Sequence, residues 1–334
     1  MRFETKEAAV FFVDILGMSA LTEGIIDLNG IENKIDPSIY KIHVNNNVEF
    51  SSPNQIIAAW TLMTFREALG HVLSKYTVQV SQLSDCAFVW SENKTELLLA
   101  SSELMWNLTI LGVLCRGGLS YGEVIIPIDD NETLGSFILG EAVTRAAKHE
   151  GKGKGCRVFT DSDSIHHFYS SFPGKTSSPG IATKIYNEIF SAFTNPLDFT
   201  ITDEFRWYLF HDLKSITNKA IDINRPKLAM YMVGLVSTLR NSPFFAWNAQ
   251  NKAGLLQLAA SIEVISSAIE IHTGRSDAKL SVDYSIQYLG QVNRSHKAVK
   301  NFFYPYSTNA LTNDTHDELA KKITNEVAEA LAIT

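Results

Sequence analysis

Cysteine, clustered positive charge and long apolar runs are all scarce in this chain of 334 residues, and each shortage removes a class of protein. The three cysteines, Cys86, Cys115 and Cys156, are odd in number and lack CxxC spacing. No disulfide framework or zinc site is expected, and they read as reduced thiols of a cytosolic protein. Charged residues make up 19% of the chain, with 29 Lys and Arg against 36 Asp and Glu, a formal net charge of −7. Lys and Arg occur at most in scattered pairs, so charge-driven binding to nucleic acid or to an anionic membrane is disfavoured. The longest apolar stretches, at 104–114 and 228–239, fall short of the roughly 20 residues that a bilayer span requires. Arg2, Glu4, Lys6 and Glu7 precede the first apolar run, which is not the pattern of an export signal. A soluble, cytoplasmic protein is expected. Three common catalytic signatures are also missing: the Gly-x-Ser-x-Gly elbow, the Walker A Gly-Lys-Ser/Thr and His-Glu-x-x-His.

What is present is enough apolar content, 45%, to close a real core, in one large domain or two moderate ones. Residues 8–13 read Ala-Ala-Val-Phe-Phe-Val, a buried strand that turns at Asp14-Ile15-Leu16-Gly17 into a helical pattern. An excursion at 28–51 precedes a helix over 55–73. Strands at 77–83 and 86–90 flank Ser84-Asp85 and read as a hairpin. A helix at 94–111, strands at 113–119 and 137–139, a helix at 141–150 and a strand at 156–160 complete the pattern. The order, roughly β-α-β-β-α-β-α-β with the short strand at 137–139 left aside, predicts an α+β fold, a mostly antiparallel sheet with helices on one face. Gly151 to Gly155, with its two lysines, follows a helix and reads as a C-cap and turn. His166-His167 reads as a surface pair.

Beyond a Ser/Pro/Gly-rich stretch at 170–180 the character changes, with helix-like segments near 203–216, 226–239, 252–271 and 315–333. Two regions are therefore expected: a catalytic domain over 1–185 and a mostly helical region over 186–334. The last helix opens on the capping box Thr315-x-x-Glu318 and carries Leu319, Ile323, Val327 and Leu331 on one stripe. That stripe fits docking on its own domain better than a dimer seam.

Two carboxylates stand where strands stop, Asp14 after the first strand and Asp85 in the hairpin. If those strands are neighbours, both could converge at one sheet edge and hold Mg²⁺ or Mn²⁺ against a triphosphate. The glycine turn after Asp14 leaves backbone N–H groups of Gly17, Met18 and Ser19 that can cradle phosphate oxygens. Each feature alone has an ordinary structural reading, as an N-cap or a tight turn.

Taken together these residues resemble class III nucleotidyl cyclases. Phe12-Val13-Asp14-Ile15-Leu16-Gly17-Met18-Ser19 looks like the family's first metal motif and Leu83-Ser84-Asp85 like its second. Gly117-Gly118-Leu119-Ser120-Tyr121-Gly122-Glu123-Val124 resembles the strand and turn that follow. Gly140-Glu141-Ala142-Val143-Thr144-Arg145-Ala146-Ala147-Lys148 resembles the family's Gly-x-x-Val-Asn-x-Ala-x-Arg helix. The resemblance spans about residues 8–160 and implies a ferredoxin-type sheet acting as a homodimer with two shared sites. One subunit would supply both metal ligands and the phosphate turn, the other the base pocket and the transition-state helix. In the implied reaction the ribose 3′-hydroxyl attacks the α-phosphorus and pyrophosphate leaves, with two divalent ions held by Asp14, Asp85 and the Ile15 carbonyl. Thr144 stands in place of the ribose-positioning Asn and Lys148 in place of the phosphate-neutralising Arg, with Arg116 as an alternative phosphate contact.

The base-reading positions depart further, since Ser81 and Phe137 replace the charged pattern of the purine cyclases. Phe137 adds bulk where a six-five ring would sit, although a core phenylalanine is an equally good account of it. With the Asp-Ile-Leu-Gly form of the first motif and the long C-terminal half, the chain resembles the bacterial Pycsar pyrimidine cyclases of anti-phage defence. That implies UTP as substrate, with CTP close behind, a cyclic UMP or cyclic CMP product, and a separate effector protein activated by it. A catalytically degenerate nucleotide sensor, or a purine cyclase with its base contacts elsewhere, are the alternatives.

Overall fold

The computed structural model describes residues 2–25, 53–110, 113–129, 137–170, 189–195 and 198–209, together with 257, 260, 261 and 264. The elements in order are β1 (Phe3–Ile15), α1 (Met18–Thr22), α2 (Pro53–Lys75), β2 (Gln79–Leu83), β3 (Cys86–Ser91), α3 (Lys94–Ile110), β4 (Cys115–Pro127), α4 (Glu141–Glu150), β5 (Val158–Thr160), α5 (Ser162–Ser170), β6 (Phe190–Thr194) and β7 (Ile201–Phe205). The chain divides into two compact units. The first is Met1–Ile15, Arg66–Asn107 and Leu114–Asp222; the second is Leu16–Phe65, Leu108–Val113 and Ile223–Thr334.

The first unit carries a seven-stranded sheet in the order β2-β3-β1-β4-β5-β7-β6. Every pairing is antiparallel except β4 with β5. The run β1-α2-β2-β3-α3-β4, with strand order β2-β3-β1-β4, is the ferredoxin-type arrangement. The α+β class therefore holds.

β1 is apolar without alternation because it lies at the centre with both faces covered. Ala8 and Val10 pack with Trp90 and Val124 against Ala142, Val143 and Ala146 of α4, with Phe12, Phe88, Ile126 and Ile138 at the margin. Ala9, Phe11 and Val13 point to the opposite face and are also fully buried. The centre of the sheet is thus covered on both sides, where helices on one face were expected. Towards its N-terminus β1 is polar and mostly exposed; there it pairs only with β4, from Phe3↔Pro127 to Ala8↔Gly122.

α4 approaches β4 at Gly118. A Cβ on Gly118 would lie 2.0 Å from the Ala146 carbonyl oxygen and 2.8 Å from the Glu150 nitrogen. Only glycine admits the helix at this distance, and that approach brings the end of α4 to the end of β1.

Several boundaries differ from the sequence reading. β4 runs to Pro127, well past 119, because it follows β1 along its whole length. The segment at 137–139 contributes a single bridge, Ile125↔Leu139. The helix-like pattern from 203 opens as strand instead: β7 pairs with β5 and β6, so the sheet continues beyond the boundary placed at 185. Trp207 then anchors the chain, its Nε1 donating to the Cys156 carbonyl at 2.8 Å while its own carbonyl accepts from Ser102 at 2.7 Å.

In the second unit, α1 is followed closely by a turn, and Asn54 at the start of α2 donates to the Leu21 carbonyl at 3.0 Å. Residues 257, 260, 261 and 264 are helical, in keeping with the helix read at 252–271, and Ser261 donates to the Gln257 carbonyl at 2.8 Å. The excursion at 28–51, most of the linker at 170–180, and the helices read at 226–239 and 315–333 lie outside the described residues. Among the described residues no helix is long and apolar enough to cross a membrane.

Candidate active site

Asp14 sits one residue before the end of β1, opposite Cys86 of β3 and Arg116 of β4. Asp85 occupies the two-residue turn between β2 and β3, where Leu83 pairs with Cys86 and Ser84 adopts φ 57°, a left-handed conformation. The Ile15 N–H donates to the Asp85 carbonyl at 3.0 Å, which ties the hairpin tip to the end of β1. The two carboxylates that the sequence separates by 71 positions therefore share one end of the sheet.

Two further side chains complete the cluster. Arg116 Nη2 lies 3.5 Å from Asp14 Oδ2, and Arg116 Nε makes a closer ion pair with Glu150 Oε1. All three side chains are largely buried. Burial and the charge of Glu150 raise the Asp14 pKa to about 6, with Asp85 adding to the rise and Arg116 opposing it. Glu150 is also raised, by burial, against the pull of Arg116, a side-chain hydrogen bond with Asp14 and the charge of Lys154. The same surroundings reach Cys86, where burial and then the charges of Asp14, Asp85 and Glu150 push the thiol up to about 11. Cys86 is half-buried and Cys115 and Cys156 are buried; all three are free thiols, as read from their spacing.

This donor set suits a hard divalent cation. Asp14 and Asp85 bring carboxylate oxygens to one place, and carboxylates that hold a neighbour's pKa above its ordinary range are relieved by added positive charge. Among the described residues no three His, Cys, Asp or Glu side chains already form a metal cage. Mg²⁺ does not need one, since it is commonly held by one or two carboxylates, with water and substrate phosphates supplying the rest.

The remaining candidates fall in different places. Ser81 is buried on β2, in the cross-strand row Ser81–Phe88–Phe12–Gly118, one same-face row from Asp14. Thr144 and Lys148 lie one helical turn apart on the exposed face of α4. The Thr144 hydroxyl is turned back on its own helix, donating to the Gly140 carbonyl at 3.1 Å. Arg145 points elsewhere, donating to the Tyr121 carbonyl and lying 4.0 Å from Asp161.

Phe137 is far from Asp14. Its ring packs edge-on to Phe3, with centroids 6.3 Å apart, at the other end of β1. At about 3.3 Å per residue the eleven steps from Phe3 to Asp14 span roughly 36 Å. Gly17, Met18 and Ser19 belong to the second unit. Gly17 has φ 83° and ψ 8° at the start of α1, and the Ser19 hydroxyl donates to Glu23 at 2.8 Å.

Glu150 and the pairing of Arg116 with Asp14 were not read from the sequence. Glu150 looked like the last residue of an amphipathic helix. Its signal was the Gly117-Gly118 pair, which marks where that helix end must meet the sheet. The His166-His167 pair is exposed on α5, with His167 stacked on Tyr121 at 4.4 Å.

No protein-family model and no curated protein matches the chain. Its backbone is similar to that of several solved structures. The guanylyl cyclase Cya2 aligns at 12% identity over 61% of this chain and 93% of its own, with a TM-score of 0.39. The adenylyl cyclase CyaB from P. aeruginosa aligns at 15% over 61% and 94%, with a TM-score of 0.36. The guanylate cyclase domain of RhGC from Catenaria anguillulae, solved with GTP, aligns at 12% over 60% and 96%, with a TM-score of 0.39. At these values a functional assignment rests on the side chains themselves.

Proposed function

We propose that the protein is a metal-dependent nucleotide cyclase that converts UTP to 3′,5′-cyclic UMP and pyrophosphate, with CTP the next candidate substrate. The observation that carries this reading is the convergence of Asp14 and Asp85, joined through the Ile15 N–H. Asp14 and Asp85, with the Ile15 carbonyl, would hold Mg²⁺ or Mn²⁺, two ions per site. Such ions lower the pKa of a ribose 3′-hydroxyl and offset charge developing on the phosphoryl oxygens. The chain's own part is to fix the two carboxylates in register and keep Asp14 largely shielded from water. Gly17, Met18 and Ser19 would offer backbone N–H groups to the phosphates, and Lys148, exposed on α4, a mobile positive charge.

The reading also calls for a homodimer. Phe137 lies at the opposite end of β1 from Asp14, so any base contact it makes belongs to the metal site of a second copy. Ser81 and Phe137 in place of charged residues favour a pyrimidine. A role in anti-phage signalling through a separate effector follows from the family resemblance. One observation favours a nucleotide-sensing, catalytically degenerate protein instead: the Thr144 hydroxyl is already engaged by its own helix.

The deciding experiment incubates the full chain with each of the four nucleoside triphosphates and Mn²⁺, with products read by mass spectrometry. Cyclic UMP or cyclic CMP as the main product supports the reading. Cyclic AMP or cyclic GMP would overturn the base assignment. Tight nucleotide binding with no cyclic product would sink the enzyme and leave the sensor.

A further inference from the structure

We infer that Lys154, in the glycine-rich loop between α4 and β5, is a phosphate-binding residue of the same site, placed to take the pyrophosphate end of the nucleotide. The inference rests on the metal role proposed for Asp14 and Asp85, and it gives a chemical task to a loop that otherwise reads as a C-cap and turn.

The fold brings both ends of this loop to the end of the sheet that carries Asp14. The loop starts after Glu150, whose carboxyl shares a side-chain hydrogen bond with Asp14. It finishes where Gly155, left-handed at φ 81°, turns the chain towards β5. There the Gly117 N–H donates to the Arg157 carbonyl at 2.9 Å, and Gly117 pairs with Val158. Counting back along these two parallel strands sets Cys156 level with Cys115, which stands opposite Ile15. In the order β1-β4-β5 the loop therefore leaves two strand spacings from β1, roughly 10 Å. Its middle is pinned. The Lys152 carbonyl accepts from Asn195 Nδ2 at 3.2 Å, and a Cβ on Gly153 would lie 2.5 Å from the Phe159 ring and 3.2 Å from the Phe193 ring. Gly153 and Gly155 are buried, so the backbone of the half-buried Lys154 between them is held in place.

The charges at this end of the sheet leave phosphate short of a cation. Asp14, Asp85 and Glu150 are three carboxylates, and Arg116 is committed to two of them: its Nη2 donates to Asp14 Oδ2 at 3.5 Å, and its Nε is ion-paired with Glu150. Lys154 is near enough for its charge to reach Glu150. Among the described residues its ammonium makes no hydrogen bond and no ion pair. Lys152, exposed two residues earlier, acts on Asp198 instead. A pyrophosphate group entering beside three carboxylates needs positive charge beyond that of a bound ion. An ammonium on a flexible stem is a point donor that can follow phosphate oxygens from the bound nucleotide to the departing product.

The test measures binding of inorganic pyrophosphate, with Mn²⁺ present, to the full chain by isothermal titration calorimetry. Lys154→Gln is expected to weaken that binding about tenfold, the scale of one hydrogen bond to a charged group. Lys152→Gln removes the same charge from the same loop and should change it less than about twofold, because an exposed charge farther off is screened. Lys154→Arg keeps a cation in place and should stay within about threefold of the parent. Equal losses in Lys154→Gln and Lys152→Gln would mean that only the general field matters, and parent-like binding in Lys154→Gln would mean no contact; either result overturns the inference. If Lys154→Gln does not fold, Lys154→Met, which keeps the apolar stem, replaces it with the same expectation. Parent protein that does not bind pyrophosphate, or whose binding is unaffected by Asp14→Asn, would overturn the metal reading itself, and the inference with it. A failure confined to the Lys154 variants leaves that reading standing.

Discussion

The backbone N–H of Ile15 donates to the carbonyl oxygen of Asp85 at 3.0 Å, and through this bond the β2–β3 hairpin tip is fixed beside the end of β1. Side chains on adjoining residues, Asp14 and Asp85, inherit that placement. If the proposed cyclase function is right, Asp14→Asn or Asp85→Asn should each lower that activity by about 10²-fold or more, the scale of lost electrostatic stabilisation at a reacting phosphate. The melting temperature of Asp14→Asn should be unchanged or higher, because a neutral isostere replaces a carboxylate crowded by two others. Activity near the parent level in a folded Asp14→Asn protein would rule out the metal role.

The homodimer proposed above, with sites shared between copies, makes a prediction about mixtures. On that proposal Asp14→Ala would damage the metal half and Lys148→Ala the transition-state half, so neither homodimer should be active. Mixed and re-equilibrated, half of the dimers would be heterodimers with one intact site of two, giving about a quarter of parent activity. No recovery, with subunit exchange shown independently, would argue that each chain carries its own complete site.

Gly118→Ala should be costly out of proportion to one methyl group. The added Cβ meets the backbone of α4, at the Ala146 carbonyl and the Glu150 nitrogen, and neither can move without shifting the helix. A loss of about 2–3 kcal/mol in urea unfolding is expected, the upper range for overpacking a tight contact. A loss under about 0.5 kcal/mol would mean that α4 does not hold this position.

Acid sensitivity should centre partly on Glu103 of α3. Burial alone would raise its carboxyl, but hydrogen bonds from Lys75, Tyr76 and His71 outweigh burial and hold it below the ordinary value of 4.5. A depressed carboxylate contributes stability above its unfolded pKa and loses it as pH falls through the folded one. Melting temperature should therefore drop as pH is lowered below about 4.5, and Glu103→Gln should flatten that part of the profile. At neutral pH the same substitution should cost about 1–2 kcal/mol, through weakened charged hydrogen bonds.

Asp161 offers a separate check on the junction of α4 and α5. Its carboxylate accepts from the Ser164 N–H at 2.7 Å, capping α5, and pairs with His149 Nε2 at 2.7 Å. Asp161→Ala should cost about 1–2 kcal/mol, as loss of an N-cap does. Asp161→Asn should recover the capping part but not the carboxylate's contact with His149. Identical stabilities for the two variants would show that the cap contributes nothing.

Local pattern decided much of this protein. The uninterrupted Ala8–Val13 run marked a buried strand, Ser84-Asp85 between two short apolar runs marked a turn, and the 3.6-residue period over Glu141–Glu150 put Ala142, Val143 and Ala146 inward and Thr144 and Lys148 outward. Such features are fixed by residues a few positions apart, so the sequence by itself determined them. It also carried Asp14 and Asp85, because the motifs that hold them are short. Tertiary structure alone decided the rest. The full length of β4 depends on β1 as a template, and β6 and β7 joined the sheet because β5 presented an open edge. The meeting of Arg116, Glu150 and Asp14 depends on how closely a helix can approach a glycine in a strand. Distances between elements far apart in the chain are set by packing, and packing leaves no period in the sequence.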